Sequence, residues 1–149
     1  MYDQPAVRRQ APVPAYDRML ESIRYEGAYP TLERADETVR RVMAALGREL
    51  TGDVRADLAA RLPLEAALAF TGAVPDPDRR TGWGFVKDLA ARNGISPAVA
   101  RWDTGAVLSV VARLAGPDLL SRVLRALPEG YALLFGQAEL TRRQEAQEA

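Results

Sequence analysis

The chain has 149 residues, 48% of them hydrophobic and 27% charged, with 20 basic residues balancing 20 acidic ones. That size and composition suit one compact domain burying about 68–70% of the surface its unfolded form exposes. With no Cys and no His, disulfide frameworks, thiolate nucleophiles, His-based triads and zinc-hydrolase motifs are excluded, and zero net charge supplies no overall field to gather nucleic acid or an anionic membrane.

Residues 1–14 (MYDQPAVRRQAPVP) hold three prolines and little apolar periodicity, so a disordered N-terminal arm is expected there. A first helix is predicted from Ala15 to about Glu26, with Met19, Leu20 and Ile23 on one face and Gly27 as its stop. Thr31 can cap a second, longer helix from Leu32 to about Leu50. Its apolar positions Val39, Val42, Met43, Leu46 and Leu50 are spaced three, four, three, four, as a helix requires. Thr51–Gly52 breaks the chain. A third helix then carries Val54, Leu58 and Leu62, and Pro63 ends it and opens a short helix over Leu64–Phe70.

Residues 71–82 (TGAVPDPDRRTG) read as a linker, and the pattern then restarts. Trp83–Arg92 gives a helix with Phe85, Val86 and Leu89 inward, ended by Asn93–Gly94. Ser96–Pro97 is a cap followed by a first-turn proline, opening a long helix to about Leu114. Gly116–Pro117–Asp118 starts the next helix, and Pro128 is expected to open a last short one to Phe135. The tail, residues 136–149, has helix formers without an apolar face and is expected to be a polar helix or disordered. No segment alternates as a strand does.

This order repeats with a period of 65 residues. When Ala35–Phe70 is set over Ala100–Phe135, nine of 36 positions are identical, where composition alone gives roughly three. The identities include Val42/Val107, Arg48/Arg113, Asp53/Asp118, Leu62/Leu127, Pro63/Pro128 and Phe70/Phe135. The predicted fold is therefore all-α, with two tandem three- to four-helix repeats (15–70 and 83–135) packed as one compact helical bundle domain.

The Leu-Pro corners Leu62–Pro63 and Leu127–Pro128, and the closing LPEGYALLF of Leu127–Phe135, resemble the bacterial family catalogued as domain of unknown function 2267. The resemblance covers about Tyr16 to Phe135. It implies an all-helical, two-repeat cytoplasmic protein and carries over no catalytic or binding residue. The first corner departs from the pattern, with Leu64–Glu65–Ala66 in place of Glu129–Gly130–Tyr131.

Candidates for chemistry are few. Glu33, Asp36 and Glu37 share a helical face, but first-turn carboxylates also suit the helix dipole, and Arg34, Arg40 and Arg41 stand within pairing distance. Arg48/Arg113 and Asp53/Asp118 fall at helix ends and starts, where they can serve the last carbonyls and first amides. The doublets Arg8–Arg9, Arg79–Arg80 and Arg142–Arg143 lack the interleaved aromatics that base stacking needs, and read as solvated charge. Ser22, Ser96, Ser109 and Ser121 have no nucleophile elbow and no activating base. No cofactor, metal or small-molecule substrate is expected.

The informative feature is a difference between the copies. Beside the core stripe, the first long helix reads Arg34, Glu37, Arg41, Ala45 and Glu49; the aligned positions in the second are Val99, Trp102, Ala106, Val110 and Leu114. Four charges have become apolar, and the apolar arc widens from about 100° to roughly 240°. Such a helix must bury a second face, against the other repeat, the tail or a partner. Val99, Trp102, Ala106, Val110 and Leu114 are thus a candidate partner or self-association interface with Trp102 at its centre. The expected function is a non-enzymatic interaction or scaffold module of the bacterial cytoplasm. A nucleic-acid-binding accessory protein using surface arginines is the alternative, and an enzyme without His or Cys is a more distant one.

Overall fold

The computed structural model describes residues 13–137, and expectations about residues 1–12 and 138–149, including the doublets Arg8–Arg9 and Arg142–Arg143, lie outside that range. Among the described residues there are eight helices and no strand: α1 (Ala15–Gly27), α2 (Leu32–Gly47), α3 (Gly52–Ala59), α4 (Leu64–Thr71), α5 (Gly82–Asn93), α6 (Pro97–Ala115), α7 (Pro117–Ala126) and α8 (Tyr131–Leu134). The protein is all-α, as its periodicity requires. Three helix starts are capped by hydroxyls one turn back: Thr31 accepts from the Arg34 amide, Thr81 from Gly84 and Ser96 from Val99, each at 3.1 Å.

Four boundaries differ from the expected ones, each for an identifiable physical reason. Gly27 does not stop α1; it is the helix's last residue, and Ala28 takes the left-handed conformation instead, at φ 54°. The Tyr29 amide bonds the Arg24 carbonyl at 2.9 Å and the Ala28 amide that of Tyr25, the paired closure of a Schellman turn. Glycine is needed at 27 because a Cβ there would lie 2.2 Å from the Tyr29 ring. Helix α2 ends at Gly47, three residues early. Its last turn tightens through Glu49 N–H to the Leu46 carbonyl, and a Cβ at Gly47 would stand 2.0 Å from the Phe70 carbonyl oxygen.

Helix α3 stops at Ala59 rather than Leu62, because the amides of Arg61 and Leu62 bond three residues back in a turn that still buries Leu62. Helix α8 starts at Tyr131, not after Pro128. Gly130 has φ 95°, and the Glu129 carbonyl is taken by the Gly82 amide at 2.9 Å, which pulls this corner onto the start of α5.

Helix α6 is the most surrounded element, packed by α1, α2, α5, α7 and α8; α2 packs on α1, α4, α5 and α6, and α3 lies on α7. One apolar core runs through the assembly. Ile23, Val39, Met43, Leu46, Leu58 and Phe70 meet Val86, Val107, Leu108 and Val111, all at most 1% exposed. Burying each of these side chains contributes about 1.5–3 kcal/mol against the entropy of ordering it. The closing LPEGYALLF segment is part of the same core: Leu127, Tyr131, Leu134 and Phe135 are buried, and the Tyr131 ring meets Phe85 edge-on at 5.7 Å.

The segment between α4 and α5 is irregular but tied down. The Asp76 amide donates to the Arg48 carbonyl at 2.8 Å, and the Tyr131 hydroxyl donates to the Arg80 carbonyl at 2.9 Å. Arg80 is not solvated charge. It reaches Glu49 and Asp76 at 3.1 Å each and Asp88 at 3.7 Å, and Asp88 also receives Arg92 at 2.7 Å. Three arginines (Arg48, Arg80, Arg92) and three carboxylates (Glu49, Asp76, Asp88) thus form one neutral network at the end of α2. Glu49, with its side chain only 4% exposed, is its most buried member.

Candidate interaction surface

The five aligned residues of α6 part company in the folded protein. Ala106 and Val110 are buried at 6% and 4% exposure, and Leu114 is partly buried against the core. Helix α1 is one of the elements packed along α6, and Arg113 pairs with Glu26 of α1 at 3.4 Å. Val99 and Trp102 stay outside, at 39% and 57% exposure. They lie three residues apart on the first turns of α6, so they share a face. A groove of about 540 Å³ opens beside Trp102, lined by Ala98, Arg101, Trp102, Gly105, Ala106 and Ser109 with Glu26 across from α1, so it joins Trp102 to the edge of Ala106 and leaves Val99 outside it.

Trp102 is held in place although its ring is half in solvent. Its indole Nε1–H donates to the Gly27 carbonyl at 2.9 Å. Next to it, Asp103 turns inward and is 4% exposed, accepting the Tyr29 hydroxyl at 2.6 Å. Burial first, and then this hydrogen bond and the Asp103 charge, hold the Tyr29 phenol well above its ordinary pKa. Gly27 and Tyr29 flank the left-handed Ala28, so the α1–α2 turn is docked on α6 through two neighbouring side chains. Sequence reasoning missed Asp103. A carboxylate on the core side of an apolar helix was a visible signal, but its partner lies 74 residues away.

The other charged candidates are bound to one another. Asp36 accepts from the Tyr16 hydroxyl and from Arg40 Nε at 3.0 Å. Desolvation pushes the Asp36 carboxyl up, but the Tyr16 and Arg40 hydrogen bonds outweigh it and hold the group below the usual carboxylate range. Glu37 meets Arg41 at 3.2 Å and Arg34 at 3.9 Å. Among the described residues no cluster of three or more potential ligands is placed to hold a metal ion.

Asp53 and Asp118 do sit in the first turns of α3 and α7, but Arg48 closes α2 only through its backbone amide, to the Ala45 carbonyl at 3.2 Å, and neither the Arg48 nor the Arg113 side chain serves a helix-end carbonyl. Other arginines do. Arg55 donates to the carbonyls of Gly47 and Phe70 at 3.3 Å and of Ala73 at 2.6 Å while stacking on the Phe70 ring, and Arg61 reaches the Leu114 carbonyl at 3.4 Å. Arg48 and Arg113 instead pair with Asp88 and Glu26.

The class defined by these features is an all-helical bundle in which an exposed tryptophan is fixed at the start of its most enclosed helix. The chain belongs to the family described as "Uncharacterized conserved protein (DUF2267)", whose sequence model matches residues 16–134. No curated protein matches the chain. Among the described residues no helix is long and apolar enough to cross a membrane.

Proposed function

We propose that this chain is a non-enzymatic, cytoplasmic interaction module that presents the Val99–Trp102 face of α6 to a protein partner. One observation carries the reading. Eight of the sixteen residues of α2 are buried and ten of the nineteen of α6, so the wide apolar arc of α6 does not bury a larger share of it. What differs is the balance of what stays outside: Leu32 with the charged Glu33, Arg34, Glu37 and Arg40 on α2, against Pro97, Ala98, Val99 and Trp102 with Arg113 on α6. An indole already tied to a carbonyl loses little side-chain freedom on binding, which is how tryptophan concentrates binding energy at the centre of an interface. Ordinary scattered exposure needs no explanation, but an aromatic and a β-branched residue sharing a face beside a groove is a contiguous surface.

The test is affinity capture from the native cell with the wild type and with Trp102→Glu, in untreated and nuclease-treated lysate, after confirming that both proteins fold. Loss of specific partners in the variant alone is expected. Capture unchanged by the substitution contradicts the reading, and loss on nuclease treatment alone assigns the partner to nucleic acid.

A further inference from the structure

A second concavity, independent of the Trp102 face, lies where α1, the α3–α4 corner and α6 meet. It is an open concavity of about 440 Å³, a volume within the range of small-molecule sites. Three separate elements each send one arginine to it: Arg18 from α1, Arg61 from the corner and Arg113 from α6. Among the described residues no carboxylate lines it, and the one acidic partner of the three is Glu26, 3.4 Å from Arg113. Three guanidiniums against one carboxylate leave an excess of two positive charges in a protein whose formal net charge is zero.

Each guanidinium is positioned by a single contact. Arg18 donates to the Val13 carbonyl, Arg61 to that of Leu114 at 3.4 Å, and Arg113 to Glu26. A guanidinium carries five N–H donors, so each keeps donors for a further acceptor. Behind the arginines the pocket is apolar. Met19, Leu62 and Val110 are 3%, 8% and 4% exposed. A purely apolar occupant leaves those donors unused, and a purely ionic one leaves the apolar wall wet.

We propose that this pocket binds a small amphipathic anion, an alkyl chain ending in one carboxylate, with the chain on the Met19–Val110 wall and the carboxylate among Arg18, Arg61 and Arg113. Arginine suits this task because its planar fork meets both carboxylate oxygens at once. Ser22, also at the pocket, stands between Arg18 and Glu26 in α1 and marks the position where added bulk closes the space.

The experiment is calorimetric titration of the full chain with decanoate below its micelle-forming concentration, beside decanol, acetate and decyltrimethylammonium. Decanoate is expected to bind, decanol to bind about ten-fold more weakly for want of the charge-assisted bonds, and acetate and the cation not to bind. Arg61→Gln, on an exposed side chain, should weaken decanoate about ten-fold while lowering the melting point by only a few degrees for the lost bond to the Leu114 carbonyl, and Ser22→Phe should abolish binding. Absence of decanoate binding overturns the proposal. So does equal affinity for decanoate and decanol, or a wild-type affinity in Arg61→Gln, which keeps the test decisive even where Ser22→Phe fails to fold.

Discussion

The two long helices, α2 and α6, bury nearly the same fraction of their residues and solve the remaining surface in opposite ways. Helix α2 covers its outer face with ion pairs one turn apart, Arg40 to Asp36 and Arg41 to Glu37. Helix α6 carries a buried carboxylate at Asp103 and leaves Val99 and Trp102 in solvent. The lower part of the aligned face is buried in both helices, since Ala45 and the Glu49 side chain are as enclosed as Val110. The contrast between them therefore contracts to their first turns. The wide apolar arc does mark the most surrounded helix, but it says nothing of function; the residues left outside carry that information.

The largest effect expected in breaking this contrast is at Gly47, whose aligned residue in α6 is Ala112. Gly47→Ala should destabilise the protein by about 3 kcal/mol, because the new methyl carbon meets the Phe70 carbonyl oxygen, a backbone atom that Arg55 also holds. Urea unfolding measures it. A loss below about 1 kcal/mol would mean that α2 and α4 separate freely and that Arg55 does not fix their ends.

Next in size is the aligned pair Thr38 and Asp103. The Thr38 hydroxyl donates within its own helix, to the Arg34 carbonyl at 2.9 Å, whereas Asp103 holds a tyrosine from another element. Asp103→Ala should cost about 2 kcal/mol by leaving the Tyr29 hydroxyl buried without an acceptor. Thr38→Val should cost less than about 1 kcal/mol. Adding Tyr29→Phe to Asp103→Ala should recover part of the loss, and a double-mutant cycle with no coupling would refute the pairing.

The pH dependence divides between a carboxylate on α2 and phenols from α1, the α1–α2 turn and α8. Asp36 on α2 has its folded pKa lowered, so its contribution is complete above the ordinary carboxylate value and is lost as pH falls below about 4. The phenols of Tyr16, Tyr29 and Tyr131 are all raised, first by burial. Their contribution is present below the ordinary phenol pKa and is lost as pH rises above about 10, where the unfolded chain releases those protons first. Asp36→Asn should flatten the acid limb of a plot of stability against pH and also weaken the Tyr16 part of the alkaline limb, because the Asp36 hydrogen bond and charge help raise that phenol. In an ultraviolet titration these three tyrosines should ionise together with unfolding. Ionisation in the folded state near pH 10 would show that they are open to water.

Much of this fold was legible in the sequence, because helices announce themselves locally. The three-four spacing of Val39 to Leu46, the Thr31 and Ser96 caps and the prolines at 97 and 117 each act within one or two turns. Of the boundaries that differed, two were set by contacts from afar, Phe70 on Gly47 and Gly82 on Gly130, while the ends of α1 and α3 were set by turns within a few residues. The candidate face was half legible. Substitution of charge by apolar residues identified α6, but whether Ala106 or Trp102 ends in solvent depends on where α1 lies. The Arg80 network was illegible for the same reason, since Glu49 stands 31 residues away and only the folded chain brings it within 3.1 Å.

The smallest expected effect falls one position from Asp103, at the aligned pair Glu37 and Trp102. Glu37→Ala removes one partner of a solvent-exposed ion pair and should change stability by no more than about 0.5 kcal/mol. Trp102→Phe keeps a ring of similar shape but removes the donor to the Gly27 carbonyl, and should cost about 1 kcal/mol. The difference is small enough to need paired denaturation curves, yet it bears on the proposed interface directly. If the hydrogen bond serves to hold an aromatic surface in place, Trp102→Phe should retain partner capture with lower affinity, while Trp102→Glu loses it. A phenylalanine variant that is fully stable but captures nothing would place the binding energy in the indole N–H itself, and would move the site from the face of α6 to the turn at Gly27.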